Sequence, residues 1–136
     1  MRLRQLMTPP LLTASADQPV GQVIHAMNEL RVRSVPVLDA QGRVMGMLCQ
    51  RDLYERPTLD ASGHPCAAPP ESTLARLPVS AIMRRSVPCA REEDALSEAA
   101  WWMVDYGLDV LPVTREGVLV GVVSRADLIR LLAPTV

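Results

Sequence analysis

The chain has 136 residues, of which 49% are apolar and 21% charged, and its formal net charge is -1. This balance is typical of a folded globular protein and excludes a disordered or collagen-like chain. The fourteen basic residues are all arginines and are offset by fifteen acidic residues, so we expect no general binding to nucleic acid.

The first residues of the chain carry charge and lack the apolar stretch of a secretion signal. The apolar run Val118 to Val123 is interrupted by Gly121 and is far shorter than the roughly 18 residues of a transmembrane helix. We therefore expect a cytoplasmic protein without membrane contact. The three cysteines show no C-x-x-C spacing, so we expect neither a structural zinc site nor a disulfide framework.

Residues 1–57 predict a strand, a helix, a β-hairpin and a second helix. A short extended piece ending at Ala14 precedes a polar turn and a segment whose apolar residues recur every three or four positions, which indicates a one-sided helix. Two apolar runs on either side of Gly42 predict the hairpin. The second helix is predicted to begin at Gln50 and to end near Pro57.

Residues 58–78 predict a linker between two copies of this pattern. The segment contains Pro65, Pro69, Pro70 and Pro78 together with Gly63. This composition favours a surface excursion over regular structure.

Residues 79–136 repeat the first part of the chain: an extended piece, an acidic turn, a one-sided helix, a hairpin around Gly117, and a helix from Arg125 to near Pro134. Each copy is too short to bury a good core alone, so we expect the two copies to pack together. Matching residues recur at constant spacing, with one deletion in the hairpin turn: Met7, Ala14, Met27, Pro36, Gly46 and Asp52 return as Met83, Ala90, Met103, Pro112, Gly121 and Asp127.

The repeated order of a Pro-Val strand, a glycine turn and the run Gly121 to Leu128 resembles a tandem cystathionine β-synthase (CBS) domain pair, also called a Bateman module. The resemblance covers residues 3–57 and 79–133, so the chain is similar to a stand-alone, bacterial-type member of this family. It implies an α+β fold in which two βαββα repeats pack with pseudo-twofold symmetry. It also implies a regulatory module that binds an adenosine-containing ligand of the AMP, ADP, ATP or S-adenosylmethionine class between the repeats, forms a homodimer, and signals to an unidentified effector protein.

Catalysis is not expected from this sequence. Its two histidines do not support a Ser-His-Asp arrangement, and no G-x-x-x-x-G-K loop is present to hold phosphate, so we expect no enzyme activity and no obligatory cofactor. The alternative to a ligand sensor is a ligand-free interaction module. Both functions use one fold, so the fold does not choose between them.

Ser124 and Asp127 carry the clearest ligand chemistry. An ionised carboxylate can accept both hydrogens of a ribose diol, while the serine hydroxyl, the first N–H groups of the helix and Arg125 can meet a phosphate. The same Ser-x-x-Asp spacing can also cap a helix without any ligand, and the two roles are compatible. To this stronger site the resemblance adds Val122 and, from the opposite repeat, Leu12, Val32 and Arg33.

The first copy keeps the aspartate, Asp52, but has Cys49 in place of the serine. A thiol caps a helix poorly, so the retained carboxylate favours ribose contact over capping. The resemblance adds Met47 and, from the opposite repeat, Pro88, Leu108 and Asp109. Asp109 would repel a polyphosphate, so we expect a weaker site that better suits adenosine or a cationic adenosyl compound.

Two other side-chain pairs have alternative roles. Trp101 and Trp102 point about 100° apart on a helix, so one is expected to pack inward and the other to line a dimer contact, with base stacking as the alternative. Arg84 and Arg85 are expected to be solvated, with phosphate contact as the alternative. Cys49 is expected to be an inert thiol rather than a redox sensor.

Overall fold

The same topology occurs twice in the computed structural model, which describes residues 1–55, 58–59, 65–66 and 71–132. In each repeat a short first strand pairs in parallel with the second strand, and the second pairs antiparallel with the third. The α+β fold with two repeats is therefore confirmed.

The elements follow the predicted order. The first repeat contains β1 (Ala14–Ser15), α1 (Val20–Leu30), β2 (Ser34–Leu38), β3 (Val44–Cys49) and α2 (Gln50–Glu55). The connection contains β4 (Thr58–Leu59), β5 (Pro65–Cys66) and α3 (Glu71–Arg76). The second repeat contains β6 (Ala90–Arg91), α4 (Leu96–Tyr106), β7 (Val110–Arg115), β8 (Val118–Ser124) and α5 (Arg125–Leu132).

The two long helices lack a side-chain cap at the N-terminus but have a left-handed cap residue at the C-terminus. Pro19 and Ala95 precede α1 and α4 in extended conformation and make no side-chain hydrogen bond to the helix. The polar and acidic turns predicted before these helices are present, and in the second turn the Asp94 carboxylate accepts a hydrogen bond from the Arg91 N–H at 2.8 Å. Both helices end at a residue in the left-handed region, Arg31 after α1 and Gly107 after α4.

The connection between the repeats is more structured than a linker. Helix α3 packs on α1, where a Cβ on Gly21 would lie 2.7 Å from the Cβ of Ala75. Glycine lets the two helices approach this closely because it has no side chain. Residues 60–64 and 67–70 of the predicted linker, together with the predicted helix stops at Pro57 and Pro134, lie outside the described residues.

The leading segment of each repeat packs into the core of the other repeat. Leu3 is fully buried in the core of the second repeat, and its N–H donates to the Asp94 carbonyl at 3.1 Å. Val79 and Met83, at the start of the second repeat, are buried in the core of the first. The predicted boundaries of the repeats, residues 1–57 and 79–136, stay a prediction. Each hydrophobic core includes residues from both of these ranges.

The leading segments also place two residues at the ends of the third strands. Thr8 exchanges two backbone hydrogen bonds with Val122 on β8, at 3.0 and 2.8 Å, and Arg84 exchanges two with Met47 on β3, at 2.9 and 2.8 Å. Each third strand leads directly into a helix, so each half offers one cleft bounded by a strand end, a helix start and a segment from the other half. None of the helices in the described part of the chain has the length and apolar composition needed to cross a bilayer.

Candidate functional site

One cavity of about 480 Å³ lies at the start of α5, between the two repeats. Its walls contain all seven residues predicted for the stronger site: Leu12, Val32, Arg33, Val122, Ser124, Arg125 and Asp127. The volume falls in the range of small-molecule sites, and the apolar wall with a few convergent polar groups has the composition of such sites.

Asp127 supplies one of the two carboxylates that line this cavity, and Asp109 supplies the other. Its N–H donates to the Ser124 hydroxyl at 3.2 Å, so Ser124 caps α5, and Arg130 donates to one carboxylate oxygen. Hydrogen bonding by the Ser124 side chain, followed by that of Arg130, holds the pKa of Asp127 below its ordinary value against the opposing effect of burial. The carboxylate is therefore ionised at neutral pH, and capping and cavity lining occur together.

The helix N-terminus contributes less to anion binding than expected. The Arg125 N–H donates to the Asp109 carbonyl at 2.8 Å, and the Asp127 N–H is taken by Ser124. Two of the first amides of α5 are thus used within the fold. A phosphate in this cavity would depend mainly on guanidinium groups.

Three arginines provide these groups. Arg31, Arg33 and Arg125 all line the cavity, and all three are exposed to solvent. The sequence did not indicate Arg31, because its place in the cavity depends on the left-handed turn that ends α1. The other lining residues that the sequence missed are Thr8, Pro9, Pro10, Leu11, Ser34, Pro36, Val110 and Ala126.

A second cavity of about 430 Å³ adjoins the first and shares Arg33, Ser34, Asp109 and Arg125 with it. Arg51 adds a third guanidinium to its wall, with Nη2 donating to the Gly107 carbonyl at 3.0 Å. Three arginines against one aspartate give this central cavity a positive balance. It can therefore accommodate an anionic group that extends out of the first cavity.

The residues predicted for the weaker site are arranged differently. Met47 and Leu108 are buried, with 0% and 2% of their surface exposed. The equivalent residues of the stronger site, Val122 and Val32, are only half-buried. Asp109 was predicted for the weaker site, but it lines both cavities described above, and its carboxylate lies 3.9 Å from Arg125. Pro88 is half-buried.

Asp52 is already paired with a side chain of the protein. Its two carboxylate oxygens accept hydrogen bonds from Nε and Nη2 of Arg84 at 2.7 and 3.0 Å. Arg84 was expected to be solvated, and its partner was missed because the two residues are distant in sequence and meet only through the exchanged segment. Cys49 is buried with its Sγ 3.4 Å from the Ser34 hydroxyl, and burial raises the pKa of its thiol, which agrees with an inert role.

The chain is similar in sequence to a known protein family. The family model described as CBS domain matches residues 3–57 and again 79–134. A CBS domain-containing protein of Dictyostelium discoideum is 30% identical over 96% of this chain and 90% of its own length.

Two solved structures show the same fold. The CBS domain of a CBS domain containing membrane protein from Sphaerobacter thermophilus is 27% identical and superimposes with a TM-score of 0.74 over 97% of this chain and 88% of that one. The cytosolic domain of the Mg²⁺ channel MgtE in complex with ATP is 29% identical, with a TM-score of 0.71 over 93% of this chain and 47% of that one.

Proposed function

This chain belongs to the CBS domain family, and we propose from this premise that it is a regulatory module that binds an adenine nucleotide in the cavity at Asp127. Binding would bridge the two repeats, because the cavity is lined by residues of both. The difference in affinity between two arrangements of the repeats would then set the signal passed to an effector protein.

The ionised carboxylate of Asp127 at the wall of an apolar cavity is the observation that carries this proposal. Its two oxygens can accept both hydroxyl hydrogens of a ribose diol. The apolar residues beside it, including Val32 and Val122, can flank the flat face of a purine. The ATP complex of the MgtE cytosolic domain supports the same ligand class.

The surrounding charge favours a phosphorylated ligand. Arg31, Arg33 and Arg125 line the cavity at Asp127 and outnumber its two carboxylates, Asp109 and Asp127. Arg51 extends the basic surface into the adjoining central cavity, where three arginines face Asp109 alone. Guanidinium groups bind phosphate oxygens well and would repel a cationic group. We therefore expect AMP, ADP or ATP to bind more tightly than S-adenosylmethionine. Because these nucleotides are present in the cytoplasm, we propose that the protein acts there.

Thermal unfolding with AMP, ADP, ATP, NAD and S-adenosylmethionine tests this function. A ligand at about 100 times its dissociation constant adds about 2.7 kcal/mol of stability, which should raise the midpoint by several degrees. Asp127→Asn should abolish the rise, since an amide cannot accept both diol hydrogens in the same way.

Asp52→Asn is the matched control for this experiment. It should lower the midpoint of the free protein because it weakens the pair with Arg84, and it should leave the nucleotide-induced rise intact. A rise that survives Asp127→Asn but is lost in Asp52→Asn would contradict the proposed site. No rise with any of the five compounds would favour the ligand-free interaction module.

We also propose that the protein is a homodimer. Trp101 and Val104 on α4 are 68% and 72% exposed, and Ile129 on α5, which packs on α4, is 58% exposed. Exposed apolar side chains on two adjacent helices suit a contact with a second copy. Trp102 packs against the core of the second repeat, so only Trp101 of the tryptophan pair is available for such a contact.

A further inference from the structure

The cleft at Asp52, called the second cleft below, contains an ion pair, whereas the cleft at Asp127 contains an open cavity. Asp52 occupies the position in the first repeat that Asp127 occupies in the second. Both of its carboxylate oxygens accept hydrogen bonds from the Arg84 guanidinium, at 2.7 and 3.0 Å. The two side chains are 17% and 28% exposed, so this bidentate pair is shielded from solvent to a much greater degree than a surface pair.

The backbone holds Arg84 against this carboxylate. Arg84 exchanges two hydrogen bonds with Met47, and its Nη1 donates to the Tyr106 carbonyl at 3.1 Å. A Cβ on Gly46 would collide with the carbonyl oxygen of Arg84, so only glycine permits this approach. The guanidinium is therefore fixed from several directions.

The cleft at Asp127 has the same backbone bridge, but the bridging residue there is a threonine with a short side chain. Thr8, the counterpart of Arg84, pairs with Val122 through two backbone hydrogen bonds and lines the open cavity. Asp127 is instead paired with Arg130, which lies one turn along the same helix and whose side chain is 77% exposed. An exposed partner of this kind is weakly held, and a ligand can displace it.

We propose that Arg84 is an internal occupant of the second cleft and thereby determines that the protein binds one nucleotide per chain. A guanidinium presents two parallel N–H donors to a carboxylate, and a ribose diol presents two O–H donors to the same two oxygens. Arg84 therefore takes the acceptors that a nucleoside would need at Asp52. This inference rests on the proposed function, because it assumes that the carboxylate at Asp127 binds the ribose of the ligand.

Isothermal titration calorimetry of the full chain with AMP and with ATP tests the proposal. The wild-type protein should bind one nucleotide per chain. Arg84→Thr, which installs the residue found at the equivalent position of the open cleft, should bind a second, weaker nucleotide. Arg84→Thr combined with Asp52→Asn should return to one, because the second carboxylate is removed.

A separate variant keeps the proposal testable if Arg84→Thr does not fold. In Asp127→Asn the second cleft is still filled by Arg84, so this variant should bind no nucleotide. Two nucleotides on the wild type, or one on Asp127→Asn through Asp52, would overturn the role of Arg84. A single nucleotide on folded Arg84→Thr when the wild type also binds one would overturn it as well.

The outcomes also separate this proposal from the proposed function. No binding to the wild type together with one nucleotide on Arg84→Thr would refute the cavity at Asp127 as a nucleotide site and support the role of Arg84. No binding to either protein would refute both.

Discussion

Arg31 holds its backbone in the left-handed region, with φ 56° and ψ 39°, at the position where the second repeat has Gly107. For a residue with a Cβ this conformation costs about 1 kcal/mol or more. The strained residue also lines the cavity at Asp127. Strain at a binding residue is tolerated when the side chain has a role there, so the backbone and the ligand proposal point to the same residue.

Arg31→Gly should therefore separate stability from binding. The variant should gain about 1 kcal/mol of stability, because glycine adopts this backbone conformation without strain. Its affinity for ATP should fall about two- to fivefold, the size of an exposed ion pair lost to the phosphate. Thermal unfolding and calorimetry measure the two effects.

Glu116→Gly is the control for this change. Glu116 also has a positive φ, 53°, but it lies in the turn between β7 and β8 and is not among the residues that line the cavity. It should gain similar stability with unchanged ATP affinity. Equal ATP affinities of the wild type and Arg31→Gly would contradict a phosphate role for Arg31.

Two strands are crossed closely by the exchanged segments, and a glycine lies at each crossing. A Cβ on Gly46 of β3 would meet the backbone oxygen of Arg84, whereas a Cβ on Gly121 of β8 would meet only side-chain atoms of Met7, at 3.0 to 3.2 Å. A flexible methionine can move aside, and a hydrogen-bonded backbone cannot do so without breaking its bridge.

Gly46→Ala should consequently cost about 3 kcal/mol of unfolding free energy, and Gly121→Ala about 1 kcal/mol. Urea unfolding of both variants measures the difference. Equal losses in the two variants would argue against a rigid crossing at Arg84.

At the scale of helices and strands, the hydrophobic periodicity of the sequence was sufficient to predict most elements. The one-sided patterns located α1 and α4, and the apolar runs on either side of Gly42 and Gly117 located both hairpins. Helix α3 was not predicted, because a proline-rich segment gives a loop signal and the helix depends on packing against Gly21. The seven residues predicted for the stronger site followed from the repeat and the resemblance, but the remaining residues that line the cavity at Asp127 did not. The pairing of Arg84 with Asp52 was also missed, since no local pattern encodes a contact made by an exchanged segment.

The whole molecule leaves an apolar surface uncovered on α4 and α5. If this surface joins two copies, the particle in solution should have about twice the 14.9 kDa mass of the chain. Trp101→Glu should reduce it to one chain, because a carboxylate cannot be buried unpaired in an apolar contact. Light scattering after size-exclusion chromatography measures the mass.

Met45→Glu is the matched control for the dimer prediction. Met45 is 38% exposed on β3 and lies outside these two helices. Its substitution should leave the dimer unchanged. A wild-type mass of one chain, or a dimer that persists in Trp101→Glu, would refute this interface.

The exchange of leading segments has a consequence for assembly. A single copy of the repeat would have to borrow Leu3 or Val79 from a separate molecule to complete its core, so its folding would depend on how often two molecules meet. Here one peptide chain carries both copies, and the local concentration of each donated segment is fixed by the length of the connection, on the order of millimolar for a short tether. Assembly of the two cores is therefore a unimolecular event, equally complete in a cell that makes little of the protein and in one that makes much.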